Sequence, residues 1–184
     1  GRVTVTGFAA RVRELVAGNA RLELCMEALL RCREALIREL HDLHLALLRI
    51  VKNDEVCRRF MTIPGVGPVT SLAFKSAIDR PARFRRSPDV GAHLGLTPRQ
   101  HQSGETDRRG HISKSGDAFT RMALFTAANA MLSRTSQWTA LKAWGVRLVE
   151  RSSLKKAKVA VARKLAVIMH RMWRDGTSFR WTAA

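Results

Sequence analysis

Residues 93–117, HLGLTPRQHQSGETDRRGHISKSGD, gather hydroxyl groups, cations and turn-forming glycines in one segment. A serine hydroxyl, such as that of Ser103, Ser113 or Ser115, is a weak nucleophile. To attack phosphorus it needs a base or a metal ion, and cations that stabilise charge on the phosphate oxygens. The segment and the helix after it supply such cations: Arg99, Arg108, Arg109, Lys114 and Arg121. The composition therefore predicts a segment that holds phosphate, although on residue type alone Ser103 is one polar loop residue among several.

A second candidate phosphate contact lies in IPGVGPVTSLA, residues 63–73. Gly65 and Gly67 allow a tight turn, whose exposed N–H groups face an anion together with the N-terminus of the next helix. That arrangement binds a backbone phosphate without reading the base sequence. The stretch resembles the hairpin of helix-hairpin-helix DNA-binding modules, including the spacing of its apolar residues. An ordinary Pro-Gly turn between two helices is the alternative.

The charge of the whole chain favours a polyanionic partner. Lys and Arg number 33 against 15 Asp and Glu, so the formal net charge is +18. Such a charge repels itself in the free protein. Nucleic acid is its usual partner, and an anionic membrane surface is the main rival. Because 46% of the residues are hydrophobic, the chain is not a disordered basic tail.

The sequence predicts a cytoplasmic protein without a membrane partner. No apolar run approaches the roughly 20 residues that span a bilayer, and the N-terminus lacks a basic-then-apolar signal pattern. The three cysteines, Cys25, Cys32 and Cys57, form no CxxC pair and leave an odd count. Cys25 and Cys32 lie seven apart on one face of a predicted helix, so we interpret them as small hydrophobic residues rather than as metal ligands or a disulfide, in a reducing compartment.

Heptads organise the first part of the chain. An apolar residue recurs every seven positions: Phe8, Leu15, Leu22, Leu29, Leu36, Leu43 and Ile50. A second seam, four positions later, is interrupted at Asn19 and Arg33. The pattern predicts a coiled-coil or helical-hairpin arm over residues 1–53, through which the protein forms a homo-oligomer. An amphipathic helix packed on its own domain is the alternative, and Gly18 with its neighbour could divide the pattern into two helices.

The rest of the chain predicts a mainly α fold, with a compact helical domain over residues 54–176 and a tail over residues 177–184. The Gly-rich turn is expected between two helices, and residues 93–117 are expected to form an extended loop or a hairpin. Two later helices have clear ends. Asp117 is the predicted N-cap of a helix over residues 117–134, and Gly176 stops a basic last helix that begins near residue 153.

Taken together, MTIPGVGPVTSLAF (residues 61–74), residues 93–117 and Arg121 resemble the C-terminal domain of a family of bacterial insertion-sequence transposases. This family includes the pilin-gene invertase and the RNA-guided bridge recombinases. Its members join a RuvC-like nuclease domain to a serine-bearing domain through a coiled coil. The resemblance covers residues 58–174, and the heptad arm is similar to that coiled coil. The combination of the two motifs is specific, whereas neither motif alone is.

The resemblance implies a nucleoid-associated DNA recombinase in which Ser103, by its position in the motif, attacks a phosphodiester. It also implies a covalent phosphoserine intermediate, DNA at the element ends and target as partner, and a guide-like RNA. His101 or His111 could move protons. From the residues alone, a non-catalytic helix-hairpin-helix module that binds DNA stays open as the alternative.

The expected metal lies outside this sequence. In the family the nuclease domain carries four acidic residues that bind Mg²⁺, and no such segment is recognisable here. The few carboxylates near the motif stand among excess cations and make a poor two-metal site. We therefore expect a fragment that holds no cofactor of its own and is inactive alone.

Overall fold

Helices make up most of the chain in the computed structural model, which describes residues 4, 6–103 and 106–181. The side chains of residues 100–109 also lie outside the description. The described α-helices are α1 (Phe8–Val16), α2 (Ala20–Asn53), α3 (Glu55–Phe60), α4 (Pro68–Ile78), α5 (Asp89–His93), α6 (Ala118–Ser133), α7 (Ala140–Arg151) and α8 (Leu154–Asp175). Strands β1 (Pro98–Ser103) and β2 (Thr106–Ile112) form one antiparallel sheet. The predicted mainly α fold is confirmed.

The chain divides into two units, residues 1–47 and residues 48–184. The predicted limits of 1–53, 54–176 and 177–184 were drawn from motifs rather than from packing, and they stay a prediction. None of the described helices is long and apolar enough to span a bilayer.

The first unit contains α1 and most of α2, separated at Gly18, which has a positive φ of 87°. The structure therefore has two helices here, which is the division at Gly18 that the sequence left open. Arg13 of α1 donates from Nε to a carboxylate oxygen of Glu27 in α2 over 2.5 Å. This hydrogen bond raises the pKa of Arg13 and lowers the pKa of Glu27. Both side chains are well exposed, so the ion pair contributes little to stability.

The second unit is built around α8, which packs against α3, α5, α6 and α7. The buried face of α8 contains the small residues Ala157, Ala162 and Ala166, which let neighbouring helices approach closely. Phe60 of α3 meets Phe74 of α4 edge to face, with ring centroids 5.4 Å apart. Burying such a side chain contributes about 1.5–3 kcal/mol. The fully buried residues of this core include Ile63, Ile78, Leu94, Leu124, Met131, Leu165 and Met169.

Local capping sets the ends of the helices in this unit. A side-chain oxygen at the N-cap accepts an N–H bond at the start of four helices: Asp54 for α3, Asp117 for α6, Thr139 for α7 and Ser153 for α8. Gly176 ends α8 in the left-handed conformation, with φ of 66°. The predicted N-cap at Asp117 and stop at Gly176 are confirmed.

Asp54 also pairs with Lys75 of α4 and so ties α4 to the start of α3. Burial alone would raise the pKa of Asp54, but the hydrogen bonds from the Lys75 ammonium and the Cys57 N–H outweigh it and lower that pKa. Burial, followed by the nearby Asp54 carboxylate, raises the pKa of the Cys57 thiol to about 11. Cys57 is therefore a protonated core residue.

His170 joins α8 to the connection between α4 and α5. Its ring is fully buried, with Nε2 2.9 Å from the Pro81 carbonyl oxygen and Nδ1 2.9 Å from the Ser87 hydroxyl. Because a carbonyl only accepts, Nε2 carries the proton, and in the neutral ring Nδ1 accepts from Ser87. These two hydrogen bonds hold the connection between α4 and α5, which contains Pro81 and Ser87, against α8.

Candidate nucleic-acid interface

The turn between α3 and α4 is packed against α6 at its first glycine. Gly65 has φ of 85°, and a Cβ there would lie 2.7 Å from the Ala127 carbonyl oxygen and 2.8 Å from the Met131 nitrogen. Neighbouring Ile63 and Val66 are buried. Gly65 is therefore required by the close approach of the turn to α6. The predicted phosphate contact at this residue is not tested by that packing.

The second glycine of the turn lies in a different environment. Gly67 is the N-cap of α4, and a Cβ there would meet nothing within 4 Å. No side chain caps α4, and Pro68 occupies its first turn. The first N–H groups of a helix lack acceptors within the helix, so the N-terminus of α4 offers free donors and a partial positive charge beside open space. The two predicted glycines therefore have different surroundings.

Two threonines fix α4 against α6. Thr70 of α4 donates its hydroxyl to the carbonyl oxygen of Ala123 over 3.4 Å. In the opposite direction, Thr120 of α6 donates to the carbonyl oxygen of Ala73 over 3.1 Å. Both threonines are buried, so each bond satisfies a polar group that would otherwise be costly to bury. Sequence reasoning missed this pair, because its acceptors are backbone carbonyls that every helix has.

Strands β1 and β2 pair as the hairpin that was one of the two structures expected for residues 93–117, of which residues 104 and 105 lie outside the description. Ser103 pairs with Thr106 at the far end of the described ladder. Arg108 and Arg109 lie in β2, and their Cα partners are residues 101 and 100. The side chains of Ser103, Arg108 and Arg109 lie outside the described residues, so their predicted roles stay predictions. The backbone places Ser103 as the last residue of β1.

The base of the hairpin, residues 93–97 and 112–117, is closed by backbone contacts. Ser113 donates its N–H to the Thr97 carbonyl oxygen over 2.9 Å, and Lys114 donates to that of Gly95 over 3.1 Å. Lys114 has a positive φ of 57°, an uncommon conformation for a residue with a side chain. Its side chain is exposed, so its ammonium group is accessible from solvent.

Two glycines make this closure possible. A Cβ at Gly95 would lie 2.3 Å from the Ser115 carbonyl oxygen, and a Cβ at Gly116 would lie 2.0 Å from the His93 carbonyl oxygen. Both distances are far below van der Waals contact, and both glycines have positive φ, 66° and 74°. The two arms of the hairpin base can therefore lie this close together only if these positions are glycine.

Arg121 binds both arms of the base. Its Nη1 donates to the carbonyl oxygen of Leu94 over 3.2 Å and to that of Ser115 over 2.9 Å. Arg99 makes a similar contact, from Nη2 to the Ser113 carbonyl oxygen over 3.2 Å. A guanidinium group has five N–H donors, so each arginine keeps donors for an anion. The structure thus gives both residues a role that sequence reasoning missed, and their predicted phosphate contacts stay predictions.

The helix that carries Arg121 begins directly after the hairpin base. The Asp117 carboxylate accepts the Thr120 N–H over 2.5 Å, and hydrogen bonds from Thr120 lower the pKa of Asp117. Arg121 therefore lies in the first turn of a helix with a fixed start. The two competing serines, Ser113 and Ser115, lie at the same base with their hydroxyl oxygens 2.9 Å apart.

The described residues contain no group of three or more His, Cys, Asp or Glu side chains that could hold a metal ion. The described part of the site is instead a set of backbone N–H groups, hydroxyls and cations. Such groups can hold a phosphate and stabilise charge on its oxygens.

Comparison with known proteins shows what the segment that contains this hairpin is similar to. Residues 57–143 match the model of the transposase IS116/IS110/IS902 family. This segment is therefore similar to transposases of that family. The matched residues run from α3 to the beginning of α7, and they contain the turn, the hairpin, Arg121 and every other predicted site residue.

Individual relatives agree with this assignment. The chain is similar to the transposase for insertion sequence element IS1111A of Coxiella burnetii, with 37% identity over 67% of the chain and 34% of the relative. It is similar to the transposase for insertion sequence element IS1328 of Yersinia enterocolitica, with 30% identity over 78% and 43%. It also resembles the pilin gene-inverting protein of Moraxella bovis, with 30% identity over 64% and 37%. The chain thus spans between about a third and two fifths of the length of these curated relatives.

We predict that the folded unit depends on glycine at both close contacts of the hairpin base. Gly95→Ala or Gly116→Ala should lower the free energy of unfolding by about 2 kcal/mol or more, because the added methyl group overlaps backbone at a positive φ. Gly67→Ala is the matched control, since its methyl group enters open space, and it should cost about 1 kcal/mol or less. Denaturant unfolding followed by circular dichroism measures all three, and equal stability of the three variants would contradict this account of the base.

Proposed function

We propose that this transposase domain binds DNA and supplies Ser103 as the nucleophile for phosphodiester strand exchange in transposition. The observation that carries the proposal is the position of Ser103 at the end of β1, in a hairpin whose base is closed by glycine contacts and Arg121. The hairpin lies within the residues that match the transposase family. Because the chain spans only part of its relatives, the activity of a complete transposase is part of the proposal.

In the proposed reaction, the Ser103 oxygen attacks phosphorus and the bond from phosphorus to one DNA oxygen breaks. The serine proton passes to a base, for which His101 or His111 is the candidate, and the leaving strand takes up a proton. The hydroxyl of a second strand then attacks the phosphoserine, which restores the serine and joins that strand. Arg99, Lys114 and other cations near the hairpin would stabilise charge on the phosphate oxygens.

The Mg²⁺ that the family resemblance implies has no assigned step in this scheme. The described carboxylates form no cluster that could hold it, and its place in a separate nuclease domain stays an expectation from the resemblance. A divalent ion there would act as a Lewis acid on phosphate oxygens.

DNA binding is supported by charge and by two anchoring points on one rigid element. The N-terminus of α4 is uncapped at Gly67, and the hairpin base presents Lys114 to solvent. Both are attached to α6, through the threonine bonds and through Arg121. A phosphate backbone could therefore contact the turn and the hairpin together.

The alternative function is a non-catalytic helix-hairpin-helix module that binds DNA. The uncapped N-terminus of α4 supports it, since that site needs no nucleophile. Under this alternative, Arg121 and Arg99 would only stabilise the hairpin through their bonds to carbonyl oxygens. The two functions differ in what they require of Ser103.

We also propose that the heptad arm mediates homo-oligomer formation. Along α2, the seam leucines of the first unit are 48–70% exposed: Leu22, Leu29, Leu36 and Leu43. An apolar strip of this length is unusual on a monomer surface, and a second copy of the same strip would cover it. A guide-like RNA partner is proposed on the family resemblance alone.

The assignment of Ser103 predicts a selective loss of recombination. In a complete transposase, Ser103→Ala should abolish recombination of a plasmid-borne element and leave DNA affinity within about twofold, because a neutral hydroxyl adds little to binding by many cation–phosphate contacts. Ser113→Ala and Ser115→Ala are the matched controls and should retain activity. Normal recombination by the Ser103 variant would favour the non-catalytic module, and a selective loss in either control would move the nucleophile to that serine.

The exposed seam predicts self-association of the chain. Analytical ultracentrifugation should show a dimer or larger species, and Leu29→Asp combined with Leu36→Asp should dissociate it by placing charge in an apolar interface. Ala28→Asp combined with Ala35→Asp is the matched control, since these exposed residues have the same spacing on the neighbouring face. A monomeric wild-type chain at high micromolar concentration would overturn the proposal.

A further inference from the structure

A groove of about 710 Å³ lies between α7, α8 and residues 177–180, and its lining contains none of the residues to which a role in DNA binding or catalysis is proposed above. Most of its lining lies beyond the residues that match the transposase family. Its volume falls within the range of about 300–1,000 Å³ that is typical of sites for small ligands. The groove is therefore large enough to hold one or two nucleotide units.

Aromatic and aliphatic side chains form the inner wall of the groove. Trp144 of α7, Ile168 of α8 and Phe179 line it, and all three are half-buried. Phe179 is held in place by its N–H, which donates to the Thr62 hydroxyl over 3.0 Å. Trp181 contacts the Phe179 ring edge to face, with centroids 6.0 Å apart, and is half exposed.

Cations line the same groove. Lys164 and Arg171 lie seven residues apart on α8, Arg180 follows in the C-terminal segment, and all three are exposed. Within the described part of the chain, none of the three forms an ion pair, whereas the single acidic lining residue, Asp175, pairs with Arg174 over 2.9 Å. The Lys164 ammonium lies 5.2 Å from the centroid of the Trp144 ring. The groove thus combines aromatic surface with uncompensated positive charge.

This combination is complementary to a nucleotide whose base is not paired. Aromatic rings stack on any base, but in a duplex the faces of the bases are already covered by their neighbours. The cations would bind the phosphates on either side of the stacked base. A purely apolar partner would make no use of the three cations, whereas the phosphates of a nucleotide strand would pair with them.

We propose that this groove binds unpaired nucleotides of a DNA strand, with a base against Trp144 and Phe179 and phosphates on Lys164 and Arg171. The proposal rests on the DNA function proposed above, since strand exchange exposes unpaired DNA. It adds a second DNA contact, specific for single strands, on α7, α8 and the residues that follow α8.

The test compares labelled oligothymidine, the same strand without bases, and a duplex, by fluorescence anisotropy with the whole chain. Arg171→Gln and Phe179→Ala should weaken oligothymidine binding about tenfold while duplex affinity changes less than about twofold. Lys155→Gln is the matched control, because this exposed residue of α8 lies outside the groove. The wild-type chain should bind the abasic strand about tenfold more weakly than oligothymidine, a comparison that needs no variant.

The outcomes separate the groove from the DNA function itself. If the wild-type chain binds neither duplex nor single strand, the proposed DNA function fails, and the groove proposal fails with it. If the duplex binds but the abasic strand binds as well as oligothymidine, the groove proposal alone is overturned. Equal effects of Arg171→Gln and Lys155→Gln would also overturn it, and tighter binding of the matching ribo-oligonucleotide would overturn the assignment to DNA.

Discussion

The approach of two backbone segments at the base of the hairpin is the constraint on which the site depends. Gly95 lies against Ser115 and Gly116 against His93, closer than any residue with a Cβ would allow. Arg121 then binds one carbonyl oxygen on each segment. These contacts fix how the hairpin starts between α5 and α6. Ser103 is the last residue of β1, the strand of six residues that starts at Pro98.

The closed hairpin base is connected to the core through α6. One end of α6 begins at the hairpin base, its buried threonine bonds to α4, and its apolar face packs on α8. The turn at Gly65 rests on the same helix. The two proposed DNA contacts, the uncapped start of α4 and the hairpin, are thus held by one helix, so a phosphate backbone would meet them in a fixed relation.

Features that depend on local chemistry could be predicted from the sequence, and features that depend on distant contacts could not. The start of α6 at Asp117 and the end of α8 at Gly176 follow from capping, which involves only neighbouring residues. By contrast, α7 was not predicted, and it contains Gly145, a residue type that is unfavourable inside helices. The structure explains this glycine: a Cβ there would lie 2.7 Å from Leu132 and 2.9 Å from Val161. Similarly, the bond from Arg121 to Leu94 joins residues 27 apart, which no local pattern reveals.

The hairpin base can be examined directly through its amide protons. The N–H groups of Ser113 and Lys114 close the base, and both depend on the arms that Arg121 holds together. Hydrogen exchange measured by NMR on the wild-type chain and on Arg121→Gln compares these amides with those of Leu165 and Met169 in α8. A hydrogen bond to a charged group contributes about 1.5–3 kcal/mol, so exchange at Ser113 and Lys114 should accelerate roughly tenfold or more, with α8 unchanged. Unchanged exchange at Ser113 and Lys114 would contradict the claim that Arg121 holds the hairpin base closed.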